Sequence, residues 1–194
     1  KNGGASKRAS AKNVSFGVLY GIGSKGLQGQ LKSKCHTEWT EEECQKMIDL
    51  WLGTAYPQVR VYMEKQKHFC RQNLYVESLH GRRRYLPGVH SSIPRIREEA
   101  YRQAINHPIQ STSSEVLKLA MRNIWNRVLP ELWARNVYVE PVLTVHDEII
   151  METEKSAAQE VLDAVRREME SAIELVVPIV ADGLFTEISW ADLK

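Results

Sequence analysis

Cysteine is scarce in this sequence, and no Cys-x-x-Cys pair is present: the three cysteines are Cys35, Cys44 and Cys70. This spacing argues against a zinc site or a disulfide framework and predicts reduced thiols in a cytoplasmic protein. No apolar run approaches the roughly 20 residues of a membrane span, so we expect no membrane partner. The first residues, Lys1–Gly4, are polar and basic rather than a secretory signal. The chain also lacks an initiator methionine, which predicts a processed or excised piece of a longer protein.

Net charge is only +2 over 194 residues, but it is unevenly distributed. Residues 1–103 contain 18 lysines and arginines against 9 acidic residues, a net charge of +9. Residues 104–194 contain 8 against 15, a net charge of −7. A basic half suits phosphate-bearing partners, and an acidic half suits metal ions or a solvated face. The asymmetry alone identifies no partner.

A basic and aromatic pattern recurs every four residues near the start of the chain, at Arg8, Lys12, Phe16 and Tyr20. On a helix this spacing places two cations and then two rings along one face. Cations can bind phosphates, and an aromatic face can pack on a sugar or a base. An amphipathic surface helix is the alternative interpretation.

The next segment, Gly21–Gly26, matches the Gly-x-Gly-x-x-Gly pattern of dinucleotide-binding folds. Such a fold requires further βαβ units, and the following segments are predicted to be helices. We therefore interpret these glycines as a turn after a helix. Thr40–Glu43 predicts a capping box at the start of another helix.

Residues 75–86 predict a β-hairpin that carries Arg82, Arg83 and Arg84 on one arm. Three adjacent arginines favour contact with a phosphate backbone, although a solvated basic rim explains the triplet equally well. A helix is predicted from about Pro94, and Pro108 should break or kink it.

If that helix persists, Arg102, Asn106 and Gln110 share a face because they are four residues apart. Guanidinium and amide groups can donate to minor-groove acceptors, which look alike for every correct base pair. Ordinary polarity of a helix surface is the alternative interpretation. A longer helix is predicted from Thr112 and should end before Pro130.

The stretch Thr144–Ile150 places His146, Asp147 and Glu148 between apolar runs. This pattern predicts two strands that meet at a tight turn. A carboxylate held on rigid strands is a good ligand for Mg²⁺, but an acidic turn without function fits these residues too. After a helix over about 155–172, Val176–Ile188 should supply one or two further strands. The expected fold is therefore α+β, with a mostly helical part followed by a part with an antiparallel sheet and packing helices.

Three ordered motifs resemble those of family A (polymerase I-like) DNA polymerases, and the resemblance covers essentially the whole chain. They are Arg8-x3-Lys12-x3-Phe16-Gly17-x2-Tyr20-Gly21, Asn106-His107-Pro108-Ile109-Gln110 and Val145-His146-Asp147-Glu148. The resemblance implies a fingers subdomain over residues 1–90 and the C-terminal part of a palm subdomain over residues 91–194. His107 and Ser111 depart from the family pattern.

The resemblance also implies roles for individual residues. Arg8 and Lys12 would hold the triphosphate of the incoming deoxynucleotide, and Lys12 would assist the departure of pyrophosphate. Phe16 would pack on the sugar, and Tyr20 would stack at the nascent base pair.

The same resemblance implies contacts with primer–template DNA and two Mg²⁺ ions in the complete site. Arg102, Asn106 and Gln110 would probe the minor groove, and the arginines of the hairpin would contact the DNA backbone. His146 would support the primer terminus, while Asp147 would ligate the metals beside Glu148.

Because adjacent residues of a strand point to opposite faces, Asp147 and Glu148 should not form the metal site by themselves. We expect an upstream polymerase segment to carry the other catalytic aspartate, and the chain alone to be inactive. A non-catalytic nucleic-acid-binding module and a metal-dependent His-Asp phosphohydrolase are the alternative functions.

Overall fold

A computed structural model describes the backbone of residues 3–193 and the side chains of residue 8 and residues 10–192. The predicted α+β class is confirmed, because α-helices dominate and the strands form two small antiparallel sheets. The chain folds as two compact units, the first ending at Ser111 and the second beginning at Thr112. Within the part of the chain described, no helix combines the length and the apolarity that crossing a membrane demands.

The first unit begins with three helices that share one hydrophobic core. They are α1 (Gly3–Leu19), α2 (Ser24–Cys35) and α3 (Glu41–Leu50), and a π-helical turn, Trp51–Ala55, follows α3. Val14 and Val18 of α1 are buried against Leu27 and Leu31 of α2. The predicted turn is confirmed: Gly21, at φ +71°, follows α1, and Gly23 precedes α2. A helix rather than a strand thus leads into the glycines, as predicted for a turn after a helix.

Helix α3 begins with the predicted capping box. The Thr40 hydroxyl accepts from the Glu43 backbone N–H at 3.2 Å, and the Thr40 N–H donates to the Glu43 carboxylate at 2.8 Å. These hydrogen bonds, chiefly the one from the Thr40 backbone, lower the pKa of the Glu43 carboxyl. The cysteines are free and buried, and burial raises the pKa of the Cys44 and Cys70 thiols. They serve as core side chains.

A long helix and a short hairpin complete the first unit's second core. Helix α4 (Pro57–Asn73) ends at Leu74, which adopts φ +62° and leads into β1 (Tyr75–Glu77). Strand β1 pairs antiparallel with β2 (Arg83–Tyr85), and a 3₁₀ turn, Pro87–His90, follows. The core beneath the hairpin consists of Cys70, Val76, Leu86, Val89, Ala100 and Ala104. It fixes the hairpin against α5.

Helix α5 runs without interruption over Pro94–Asn123, with Pro108 inside it. Of the predicted break or kink at Pro108, the break is therefore wrong. Proline supplies no N–H to the carbonyl of Ala104, at a cost of about 3 kcal/mol in an isolated helix. Here Ala104 and Ile105 are buried, and the Tyr62 hydroxyl donates to the Ile105 carbonyl at 2.8 Å. Tertiary packing thus compensates for the lost hydrogen bond.

Helical structure also continues past Pro130, contrary to prediction. A π-helical turn, Ile124–Val128, joins α5 to α6 (Leu129–Ala134), and Pro130 lies in the first turn of α6. Proline is tolerated there because the first N–H groups of a helix have no intrahelical partner.

The rest of the second unit is built on one hairpin and one helix. Strands β3 (Val139–Val145) and β4 (Glu148–Thr153) pair antiparallel, with an irregularity between Pro141 and Leu143. A 3₁₀ turn, Lys155–Ala157, precedes α7 (Ala158–Glu170). The core of this unit comprises Ile124, Val128, Leu129, Leu132, Val139, Ala157, Val161, Ala164 and Val165.

The strands predicted over Val176–Ile188 are absent: this segment is irregular, and a 3₁₀ turn, Trp190–Leu193, follows it. A strand needs a hydrogen-bonding partner, and the sheet described in this unit contains β3 and β4 alone. Pro178 cannot donate to a ladder, and Gly183 weakens extended structure. The apolar side chains of Val176, Val177, Val180, Leu184 and Ile188 are exposed instead.

Candidate functional site

One face of α1 and its C-terminal end presents the four predicted residues to solvent. Arg8, Lys12, Phe16 and Tyr20 are all exposed. Tyr20 follows the last residue of α1, but its N–H still donates to the Phe16 carbonyl at 3.0 Å. The Phe16 and Tyr20 rings are stacked with centroids 6.4 Å apart, and Lys12 Nζ lies 5.9 Å from the Phe16 ring centroid. The predicted one-sided arrangement is confirmed, while its role stays a prediction.

The opposite side of α1 is held in place by close packing and hydrogen bonds. A Cβ atom at Gly17 would lie 3.0 Å from Cγ2 of Ile22, so the turn after α1 packs against the helix about as closely as a glycine allows. Asn13 accepts from Gln30 Nε2 at 3.0 Å, and Trp51 Nε1 donates to the Ser15 hydroxyl at 3.3 Å. These contacts fix the orientation of the exposed face.

Tyr20 also borders a pocket of about 350 Å³, which we call the Tyr20 pocket. Its wall is formed by the end of α1, strand β2 and the part of α5 that belongs to the first unit. The lining residues are Tyr20, Arg84, Glu99, Arg102, Gln103, Asn106, His107 and Gln110. Gly21 allows the end of α1 to approach α5 closely, because a Cβ atom at this position would lie 3.3 Å from Cγ of Arg102. Its φ of +71° is also a conformation that favours glycine.

The chemistry of the Tyr20 pocket is dominated by hydrogen-bond donors. Arg84 and Arg102 supply guanidinium groups, and Asn106 and Gln110 supply amides. The predicted shared face of Arg102, Asn106 and Gln110 is confirmed. Asn106 Nδ2 lies 3.5 Å from the Tyr20 carbonyl oxygen, so the amide also contacts the end of α1. A ligand rich in acceptor atoms fits this wall.

Three further pocket residues were not predicted from the sequence: Glu99, Gln103 and His107. These three residues are spaced four apart, and they precede Arg102, Asn106 and Gln110 by three residues each. Residues three or four apart share one face of a helix, so this spacing was a signal by which they could have been predicted. Gln103 Nε2 donates to the Glu99 carboxylate at 3.3 Å. The ring nitrogen Nε2 of His107 is buried and has no hydrogen-bond partner.

The structure divides the arginine triplet between the two faces of the hairpin. Arg83 Nε donates to the Glu77 carboxylate at 2.6 Å, and its guanidinium lies 4.5 Å from the Tyr75 ring centroid. Hydrogen bonding, first of all to Glu77, raises the pKa of Arg83. Arg84 pairs with the buried Val76 across the ladder and lines the Tyr20 pocket. Arg82 is exposed beside them and donates its backbone N–H to the Ser78 hydroxyl at 3.0 Å.

The predicted tight turn in the second unit is confirmed. Val145 pairs with Glu148, so His146 and Asp147 form a two-residue loop between β3 and β4. His146 adopts φ +55°, a left-handed conformation that glycine or asparagine adopts more readily. The side chains of His146, Asp147 and Glu148 are exposed. The carboxylate oxygens of Asp147 and Glu148 are ligands that suit Mg²⁺.

A complete metal site is not formed by the described residues. Among them, no group of three or more histidine, cysteine, aspartate or glutamate side chains is placed to hold a metal ion. Asp147 and Glu148 therefore supply part of a ligand set at most. The acidic turn belongs to the second unit and the Tyr20 pocket to the first.

Known proteins provide an independent comparison. The sequence profile of DNA polymerase family A matches residues 2–192. The thermostable DNA polymerase I of Thermus aquaticus is 37% identical over 187 residues, which cover 96% of this chain and 21% of that protein. DNA polymerase I of Streptococcus pneumoniae serotype 4 is 37% identical over 178 residues, 92% of this chain and 19% of that protein.

A solved structure of the POL domain of Pol1 from M. smegmatis, in complex with DNA primer-template and dNTP, aligns with a TM-score of 0.77. It is 32% identical, and the alignment covers 88% of this chain and 28% of that chain. The chain thus spans about a fifth of the length of the curated relatives it matches. The profile match across nearly every residue shows that this chain belongs to DNA polymerase family A.

Proposed function

We propose that the chain is the C-terminal part of a DNA-directed DNA polymerase that adds deoxynucleotides to a primer 3′ hydroxyl under template direction. The observation that carries this proposal is the exposed Arg8-Lys12-Phe16-Tyr20 face, which ends at the donor-rich Tyr20 pocket. Family membership supports it, as does the similarity to a Pol1 domain in complex with primer-template and dNTP.

The α1 face would bind the incoming nucleotide. Arg8 and Lys12 are exposed cations on the same side of the helix and would hold the triphosphate. Lys12 would also neutralise the departing pyrophosphate as a charge or as an acid. Phe16 would pack on the sugar, and Tyr20, at the pocket rim, would stack at the nascent base pair.

The Tyr20 pocket and the hairpin would bind primer–template DNA. Arg102, Asn106 and Gln110 would donate to minor-groove acceptors. Arg84 would contact the DNA from the pocket wall, whereas Arg82 and Arg83 would contact the DNA backbone from the outer part of the hairpin. In the second unit, His146 would support the primer terminus.

The acidic turn would contribute to the metal site of phosphoryl transfer. Asp147 would ligate Mg²⁺, with Glu148 beside it, and two bound ions would neutralise charge and align the reacting oxygens. The fit is partial, because the described residues form no complete ligand cluster. We propose that an upstream segment of the polymerase supplies the other aspartate and that synthesis requires it. The enzyme would act in the cytoplasm, with the DNA.

Primer extension tests this proposal. The chain alone, a mixture with the upstream polymerase segment, and the same mixture with Asp147→Ala are supplied with primer–template, deoxynucleotides and Mg²⁺. We expect extension only by the unmodified mixture. Asp182→Ala, which changes an exposed aspartate of the same unit, is the matched control and should retain activity.

Two results would count against the proposal. Robust extension by the pure chain alone would show that the catalytic centre has been misassigned. A mixture that binds primer–template but never extends it would favour the alternative of a non-catalytic nucleic-acid-binding module, for which Asp147 is dispensable.

A further inference from the structure

His107 is a pocket residue outside the proposed set of nucleotide and DNA contacts. It lines the Tyr20 pocket, yet its Nε2 atom is buried without a hydrogen-bond partner. A buried polar atom without a partner destabilises the protein, so such atoms are uncommon unless a ligand or a water completes them.

Rotation of the His107 ring about χ2 changes the position of Nε2 without movement of the backbone. The χ2 torsion of histidine is broad and roughly two-fold, so a rotation exchanges the two edges of the ring. The side chain as a whole is only half-buried, and the pocket lies beside it. A ligand in the pocket would thus provide Nε2 of His107 with a hydrogen-bond partner.

The charges around His107 determine which ligand and which protonation state fit. The charged or titratable groups that line the same pocket are Tyr20 from the end of α1, Arg84 from β2, and Glu99 and Arg102 from α5. Two guanidinium groups line the pocket against one carboxylate, so the charged side chains of its wall attract an anionic ligand. A bound polyanion also favours the imidazolium form of a nearby histidine over the neutral form.

We propose that His107 is a proton-dependent DNA contact, in which the imidazolium donates its Nε2–H to an acceptor atom of primer–template bound in the Tyr20 pocket. The proposal rests on the proposed function, because DNA is the occupant. By linkage, a ligand that binds the protonated form better binds more tightly as the pH falls. His107 thereby makes the affinity for DNA depend on pH.

The test is the pH dependence of primer–template affinity, measured by fluorescence anisotropy on the 194-residue chain. From about pH 8 to about pH 5, we expect the affinity of the wild type to rise about tenfold more than that of His107→Gln, since a hydrogen bond to a charged group contributes on this order. Glutamine retains a neutral donor, so affinity at high pH should be largely preserved. His107→Leu should lose affinity at every pH.

A matched control separates His107 from the other histidines. His90 lies in the same unit, and its Nε2 already pairs with the Arg71 carbonyl oxygen at 3.0 Å. His90→Gln should therefore keep the wild-type pH dependence. A thermal melt of each variant at both pH limits identifies any loss of folding.

Two modified DNAs distinguish the sources of the acceptor. A 3-deazaguanine substitution removes a minor-groove ring nitrogen, and a methylphosphonate substitution removes the charge of one phosphate. Whichever modification abolishes the difference between wild type and His107→Gln identifies the acceptor as a base edge or a phosphate.

Equal pH dependence of DNA affinity in the wild type and His107→Gln would overturn the proposal, even if the melting temperatures differed, because a purely structural histidine changes stability alone. The readout is binding, not synthesis. Failure of primer extension with an intact His107 effect would therefore refute the proposed catalytic role and leave this inference standing.

Discussion

Arg83 Nε donates to the Glu77 carboxylate across the β1–β2 ladder at 2.6 Å, and this pair separates Arg83 from its neighbour Arg84. Adjacent residues of a strand point to opposite faces, so Arg84 reaches the Tyr20 pocket while Arg83 covers the Tyr75 ring. The three adjacent arginines therefore lie in three different environments. Only the residue in the pocket is positioned beside the other predicted DNA contacts.

The first prediction follows from this division. Arg84→Ala should lower the slope of log affinity against log salt concentration by about 0.9, as expected for one lost phosphate contact on duplex DNA. Arg83→Ala should change the slope less and the stability of the hairpin more, because it removes the contacts with Glu77 and Tyr75. Titrations of primer–template at several salt concentrations provide the slopes. Equal slopes for the two variants would restore the interpretation of a uniform basic rim.

The second prediction concerns Lys12, whose ammonium group is exposed and lies 5.9 Å from the Phe16 ring centroid. In the reconstituted enzyme, Lys12→Ala should raise the KM for deoxynucleotide or lower kcat/KM by about ten- to a hundredfold, as for loss of a charge-assisted hydrogen bond. Affinity for primer–template should change far less. Lys25→Ala, at an exposed lysine of α2, is the control. An unchanged nucleotide dependence would remove Lys12 from the nucleotide site.

The third prediction uses pH to test the support of α5. Burial raises the pKa of Tyr62 to about 12, and its hydroxyl donates to the Ile105 carbonyl at 2.8 Å. An unfolded tyrosine titrates near pH 10, so the stabilisation is complete below about pH 10 and is lost as the pH rises toward the folded value. Tyr62→Phe should be less stable by about 1 kcal/mol at neutral pH and should lose less stability above about pH 10.

Urea unfolding midpoints of the wild type and Tyr62→Phe across this alkaline range provide the measurement. Tyr56→Phe is the control, because Tyr56 is exposed. If the wild type and Tyr62→Phe lost stability in parallel, the hydroxyl of Tyr62 would not support α5 as described.

Local signals in the sequence were sufficient for several parts of the fold. The capping box at Thr40, the exposed face of α1 and the two-residue loop at His146 each depend on residues that are neighbours along the chain. Propensity and side-chain direction act over the same short range. These elements could be predicted from the sequence because the interactions that determine them are short in range.

Long-range packing decided the features that sequence reasoning missed. Pro108 remains inside α5 because Ala104 and Ile105 are buried in the first unit, which local rules cannot anticipate. Residues Val176–Ile188 have high β-propensity, yet a strand requires a partner that propensity does not specify. In the sequence, His107 stands out only as a departure from the family pattern. Its place in the pocket depends on β2 packing beside α5, a tertiary relationship.

The last prediction concerns the apolar surface of the second unit. Val142 and Leu143 of β3 are exposed, as are Val176, Val177 and Ile188. Exposed apolar groups and unpaired strand edges favour pairing with another segment or aggregation. If the upstream polymerase segment supplies the second aspartate, it should also cover part of this surface. Its addition should slow hydrogen exchange in residues 139–153 and 176–188 and reduce aggregation of the chain.

Hydrogen–deuterium exchange of the chain, with and without the upstream segment, provides the measurement. Amides of α2 and α3 in the first unit serve as the internal control and should exchange at unchanged rates. Asp147→Ala should preserve the protection while it abolishes primer extension, because coverage of the sheet depends on backbone and apolar contacts rather than on the metal ligand. Restored extension without any protection of these residues would show that the upstream segment completes the catalytic site without covering the exposed strands.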